Sequence, residues 1–145
     1  MNIKLEQAKT ADFPEIYELI KEFTVFQKTP EKFKLSLSQM LADEQSIHAL
    51  VVRDSEMAIG FSTYYFGYSS WSGKHLYLDD IYIKEAYRGQ GIGAQIMNNL
   101  EEIAHHHQCR SMRWLVSKWN EEAIRFYKKR GASIDATEYT CQLDF

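Results

Sequence analysis

The stretch that most constrains this chain is residues 76–93, LYLDDIYIKEAYRGQGIG. Leu76, Leu78 and the Ile81-Tyr82-Ile83 run are β-formers, so its first half reads as a strand. Gly89, Gly91 and Gly93 then remove side chains where a backbone must turn tightly and let another group come close. A glycine-lined helix start after a strand offers unpaired N–H groups and the positive end of a helix dipole, which together cradle an anion such as phosphate. The rest of the chain must supply a sheet for that strand and a layer for that helix.

Residues 2–7 alternate apolar and polar, with Ile3 and Leu5 on one face, and predict a first strand. Thr10 stands where a helix N-cap would, Asp12 and Glu15 complement the dipole, and Ile16, Leu19, Ile20 and Phe23 form the apolar stripe of a helix ending near Phe26. Lys28-Thr29-Pro30 breaks that pattern, and Phe33, Leu37, Met40 and Leu41 restart it as a shorter helix closed by Asp43-Glu44. Residues 47–53 and 57 to about 68 predict a hairpin, which the 76–83 strand extends to a three-stranded antiparallel meander. From Gly91 a helix turns Ile92, Ile96, Leu100, Ile103, Ala104 and His107 toward a core. Residues 112–116 predict a strand that a crossover lays parallel to 76–83, with a cleft where the two diverge. Asn120 precedes a helix carrying Ala123, Ile124 and Tyr127, which Lys128-Lys129-Arg130-Gly131 ends. Residues 133–145, with Thr137, Tyr139, Cys141, Leu143 and Phe145 in period-2 register, predict one or two closing strands.

At 145 residues with 45% hydrophobic content, the chain is expected to fold as a single domain over 1–145. A net charge of −3 provides no positive field for nucleic acid or an anionic membrane and suits a cationic small molecule. No apolar run approaches the ~20 residues of a membrane span. The opening MNIKLEQAK contains no apolar leader, so a cytoplasmic protein with reduced Cys109 and Cys141 is expected. The aromatic residues crowded between Tyr64 and Tyr87 suit either a walled pocket or ordinary core packing. His105-His106-His107 invites a metal, but successive helical residues fan out by about 100° and cannot converge on one ion, so no metal site is expected.

Arg88-Gly89-Gln90-Gly91-Ile92-Gly93 fits the R/Q-x-x-G-x-G/A pattern of the GNAT family of N-acetyltransferases, and it lacks the further glycine of a dinucleotide fingerprint. LYLDDIYI, YRGQGIG and LVSKWNEEAIRFYKKRGA, with YYFGYSSWSGK ahead of them, resemble in order and spacing the spermidine/spermine (diamine) acetyltransferase branch. The resemblance implies an α/β GNAT fold: a mixed, mostly antiparallel twisted sheet of about six to seven strands, four flanking helices and a splayed central parallel pair. It implies an acetyl-CoA-dependent transferase that acetylates a primary amine of a small molecule, of diamine, polyamine or lysine-analogue type, by direct attack in a ternary complex. It also implies a homodimer. Two other readings remain open, a non-catalytic acetyl-CoA sensor and an acetyltransferase acting on protein amines.

Acetyl transfer needs a neutral nitrogen, while alkyl amines titrate near ~10, so a proton acceptor is required. Asp79 and Asp80 are the candidates, although adjacent strand residues face opposite ways unless the strand twists or bulges. By resemblance, Asp79 stands where a glutamate accepts the proton through water, Asp80 where an aspartate holds the substrate ammonium, and Tyr127 where a tyrosine protonates the leaving thiolate. The resemblance places the cofactor arm along the backbone of Ile81, Tyr82 and Ile83, beside Asn120, Phe126 and Tyr127. It places the pyrophosphate on Arg88, Gly89, Gln90, Gly91, Ile92 and Gly93. On the acceptor side it adds Trp71, Tyr64 and Gln27. Where the branch carries acids, this chain has Gln27 and Ser69, which favours a smaller amine over a polycation.

Overall fold

The computed structural model describes residues 1–145, in two compact units, Met1–Trp114 and Leu115–Phe145. The first unit is built on one sheet of five strands, β1 (Ile3–Gln7), β2 (His48–Asp54), β3 (Met57–Ser69), β4 (Gly73–Ile83) and β5 (Ser111–Arg113), lying side by side in that order. β1 through β4 run antiparallel to their neighbours, so the meander forms as the turn residues predict. β5 joins β4 in parallel, as a crossover through a helix requires.

Three helices belong to this unit: α1 (Phe13–Phe26), α2 (Leu37–Ala42) and α3 (Ile92–His106). The α1 stripe buries Phe13, Ile16 and Leu19 with Met40 of α2 against Val51, Phe61 and Tyr82 of the sheet. α3 buries Ile92, Ile96, Leu100 and Ala104 as the spacing predicts and adds Met97, while Ile103 is half-buried and His107, the C-cap, is exposed rather than turned to the core because the helix ends at His106. Thr10 is not the cap of α1. It opens a 3-10 turn, Thr10–Asp12, and its hydroxyl donates to Glu44, while the Asp12 carboxylate accepts from the Lys9 N–H at 2.7 Å. Asp12 and Glu15 also grip Arg53 of β2 at 2.7 and 3.0 Å, which ties the start of α1 to the sheet.

In the second unit α4 (Glu121–Lys129) begins where Asn120 Oδ1 accepts the Ala123 N–H at 3.2 Å and ends at Gly131, whose φ of +93° only glycine adopts easily. Residues 133–145 form no strand, so the sheet has five strands rather than six to seven, and the parallel pair lies at its edge rather than its centre. Alternation says which side chains would share a face, but a strand also needs a partner ladder, and period 2 does not name one. Tyr139, Leu143 and Phe145 are exposed. No helix is long and apolar enough to cross a membrane.

Gly60 shows how tightly the sheet is packed. A Cβ there would stand 2.7 Å from the Tyr82 carbonyl oxygen, a backbone atom that cannot swing away. Gly60→Ala is therefore expected to destabilise the fold by about 1–3 kcal/mol, seen as a lower midpoint in thermal or denaturant melts.

Candidate active site

β4 is paired residue for residue with β3 except at one place. Asp80 opposes Thr63 and Leu78 opposes Tyr64, so Asp79 is an extra residue with no partner. That is a β-bulge, and it answers the objection that neighbouring strand residues point apart, because a bulge lets two successive side chains lean to one side. The buried Ser62 donates its hydroxyl to the Asp80 carbonyl at 2.9 Å and pins the irregular backbone. Strand alternation then carries Tyr77, two residues before Asp79, to the same face, and its cross-strand partner Tyr65 with it.

The electrostatics agree with this placement. Asp79 reaches solvent, yet the surrounding protein raises its pKa above the ordinary carboxylate value. Asp80 is less exposed; desolvation, and then the charge of Asp79, push its pKa up to about 7. Two carboxylates this close titrate as a pair, so the second proton leaves near neutral pH. The phenols of Tyr65 and Tyr77 are also raised, first by burial and then by neighbours that include Asp79.

Beyond Tyr77, β4 no longer pairs with β5, since their ladder covers only His75–Tyr77 against Ser111–Arg113. The Lys84 N–H is bound to the Ile59 carbonyl on the β3 side. The backbone alternation therefore turns the N–H groups of Ile81 and Ile83 to the opposite edge, where the strands have separated. The Tyr82 side chain points into the core, with its hydroxyl donating to Glu22 at 3.1 Å, so any contact Tyr82 makes at that edge is through its backbone.

The chain then enters the glycine turn. Gly89 and Gly91 sit at φ +75° and +80°, and a Cβ built on either meets nothing within 4 Å. Gly91 is the N-cap of α3 with no side chain capping it, so the N–H groups of Ile92, Gly93 and Ala94, at the positive end of a four-turn helix, have no partner in the helix's own ladder. This arrangement fits a pyrophosphate. Arg88 stands beside it, its Nε donating to the Ile83 carbonyl at 2.9 Å and its guanidinium lying 4.3 Å over the Phe26 ring, while Gln90 is exposed between the glycines.

In the second unit Tyr127 is buried on α4, its ring 5.4 Å from that of Phe126, and burial pushes its phenol up to about 12. It is thus fully protonated at neutral pH. Asn120 spends its carbonyl oxygen on the helix cap, which leaves its amide N–H groups as donors.

The acceptor residues are distributed differently from the expectation. Tyr64 does not share the face of the acid pair. It pairs with Leu78, is buried, and donates its hydroxyl to Gln7 at 3.2 Å. Trp71 lies in the β3–β4 turn with its ring 98% exposed, and Gln27 closes α1, its N–H bound to the Phe23 carbonyl. The residues beside the acids are Tyr65, Tyr77 and Thr63. The sequence held a signal for Tyr77, since it stands two positions before Asp79 and so shares its face. His105 and His106 sit in the last turn of α3, and His107 packs its ring 4.5 Å from Phe66.

Residues 13–132 match the model of the acetyltransferase (GNAT) family, a stretch that runs through both units. Over 148 residues the chain is 35% identical to a thialysine N-epsilon-acetyltransferase of Bos taurus, covering 94% of this chain and 86% of that protein. It is 37% identical over 140 residues to a spermidine/spermine N(1)-acetyltransferase-like protein of Homo sapiens, covering 89% of this chain but only 20% of the longer human protein. An aminoglycoside acetyltransferase from a soil metagenome superposes with a TM-score of 0.83 over 98% of this chain and 97% of its own, at 16% identity, and so shares the fold.

Proposed function

The chain belongs to the acetyltransferase (GNAT) family, and from that premise we propose that it transfers the acetyl group of acetyl-CoA to a primary amine of a small molecule. The observation that carries this reading is the bulge at Asp79, which sets two carboxylates on one face of β4 beside the edge where β4 and β5 separate. The acceptor we favour is a diamine, an amino-acid side-chain amine or a thialysine-like compound, in keeping with the names of the relatives. Gln27 and Ser69 offer no charge to a longer polycation. The matched stretch crosses both units, which supports one catalytic domain over 1–145.

Acetyl-CoA supplies an activated thioester carbonyl. The free N–H groups at the start of α3, with Gly89, Gly91 and Arg88, hold its pyrophosphate; the N–H groups on the open edge at Ile81 and Ile83 take the carbonyl oxygen and the pantetheine amides. Asp80 receives the substrate ammonium. The Asp79–Asp80 pair then accepts its proton through water, because the short Asp79 side chain does not span the gap a glutamate would. Tyr127 donates a proton toward the leaving thiolate, and Asn120 and Phe126 steady the cofactor arm. We further propose a cytoplasmic homodimer. Two free thiols, Cys109 and Cys141, suit a reducing compartment, and the exposed apolar Tyr139, Leu143 and Phe145 give a second copy surface to bury; light scattering tests the dimer.

Competition between free small amines and a lysine peptide for limiting acetyl-CoA tests the acceptor class. Label is expected on the small amine; label on the peptide alone would replace this reading with a protein acetyltransferase. Gly91→Ala addresses the cofactor cradle. Its Cβ costs ~1–2 kcal/mol of left-handed strain and intrudes where the phosphate would lie, so calorimetry is expected to show acetyl-CoA affinity falling by about tenfold or more, with the amine Kd little changed.

A further inference from the structure

We propose that Tyr65, Tyr77 and Thr63 form the specificity wall for the acceptor, binding a linear aliphatic amine whose methylenes lie on the two rings while its ammonium meets Asp79 and Asp80 beside the Thr63 hydroxyl. The inference rests on the transferase reading above and adds the residues that choose its substrate.

Three independent observations converge on it. Tyr65 and Tyr77 are cross-strand partners whose rings stack at 4.8 Å between centroids and 22° between planes, with Tyr65 half exposed. Stacked on one another, the two rings cover each other's inner faces and present their edges and outer faces as an apolar wall on the side where the bulge places the acids, and the charge of Asp79 is among the causes that raise both phenols. Thr63 opposes Asp80, and its Oγ1 is buried without a hydrogen-bond partner. A buried hydroxyl left unpaired beside two carboxylates is the acceptor an ammonium N–H would satisfy.

The wall is bounded. Two residues further along the same face, the buried His75 ring lies over Gly67, where a Cβ would stand 2.6 Å from its Nε2. The open aromatic stretch therefore covers one ring pair. Asp79 and Tyr77 are roughly 7 Å apart along the strand, a span of about five methylenes. Shorter chains leave ring surface uncovered, and longer chains gain nothing more. An aliphatic chain on a ring face adds apolar burial, and an ammonium near the ring edge adds a cation–π term.

The test uses the full chain and 1-aminoalkanes of three to six carbons, with kcat/KM and calorimetric Kd measured for each. Wild type is expected to gain roughly two- to fourfold per methylene up to about five carbons. Tyr65→Phe and Tyr77→Phe should keep that slope, because the rings and not the hydroxyls carry it. Tyr77→Ala should flatten it with the KM for acetyl-CoA unchanged, and Tyr77→Leu serves if the alanine variant does not fold. Thr63→Val should raise the acceptor KM equally for every chain length. A wild-type slope retained in Tyr77→Ala, or in Tyr77→Leu where the alanine variant does not fold, or no slope in an active wild type, would overturn the wall and leave the transferase standing. Amine binding with a slope that Tyr77→Ala removes, but without transfer, would keep the wall and sink the transferase; no binding and no transfer sinks both.

Discussion

Tyr127→Phe is expected to lower kcat by about 10²-fold or more while acetyl-CoA binds nearly as before. The substitution removes one oxygen and keeps the ring that α4 buries beside Phe126. The phenol is pushed up to about 12 by burial, so it holds its proton at any pH where the enzyme works and can lend it only to a group that becomes strongly basic. A thiolate leaving a thioester, whose thiol titrates at ~8.5, is a weaker base than that, so the phenol steadies the departing sulfur by a hydrogen bond that strengthens as negative charge builds on it. The expected signature is a drop in kcat and kcat/KM together, since the interaction exists only as the bond breaks. Unchanged turnover in stopped-flow or steady-state assays would remove Tyr127 from the mechanism.

Asp80→Asn is expected to make the protein a poorer enzyme and a more stable fold. The loss of the carboxylate that meets the ammonium should cost roughly 10²-fold in kcat/KM for the amine. Stability should move the other way, and the sign follows from linkage. Asp80 binds its proton more tightly folded, near 7, than unfolded, near ~3.9, so wild-type stability falls as pH rises from about 4 to 7 and stays low above that. Asparagine lacks this dependence. At pH 8 the variant should be more stable, on the order of 2 kcal/mol once screening of a partly exposed group is allowed for, and at pH 4 the gain should vanish. In the wild type, the acid limb of kcat/KM against pH should fall below about 7, where the pair takes up its proton; a limb near 4 would mean that the pair is fully ionised at neutral pH.

Much of the fold was legible because its signals were local. The α3 stripe, the Asn120 cap, the Gly131 stop and the three-stranded meander each rest on residues a few positions apart, and each appears within a residue or three of its predicted bounds. What was hidden depends on partners far along the chain. The bulge at Asp79 is a slip between β3 and β4, and no residue within LYLDDIYI announces it; the same slip decides that Tyr65 rather than Tyr64 joins the acids in a run of three aromatics. Thr10 lost its capping role because Asp12 offered a carboxylate to Lys9 and Glu44 claimed the Thr10 hydroxyl. The alternating tail at 133–145 shows the reverse case, a pattern with the right period that forms no ladder.

The acid pair matters most because it joins these two levels. Glycines for a phosphate cradle can be read from spacing, whereas two successive carboxylates share a face only on a strand that breaks its own alternation. The most direct test of the account is to incubate the protein with acetyl-CoA and a panel of diamines, polyamines, thialysine and aminoglycosides, measuring CoA release and identifying the product by mass. Amine-dependent CoA release is expected, with a mono-N-acetylated short diamine or lysine analogue as product. Tight acetyl-CoA binding with no CoA release above background for any amine would contradict it and leave a binding module in place of an enzyme.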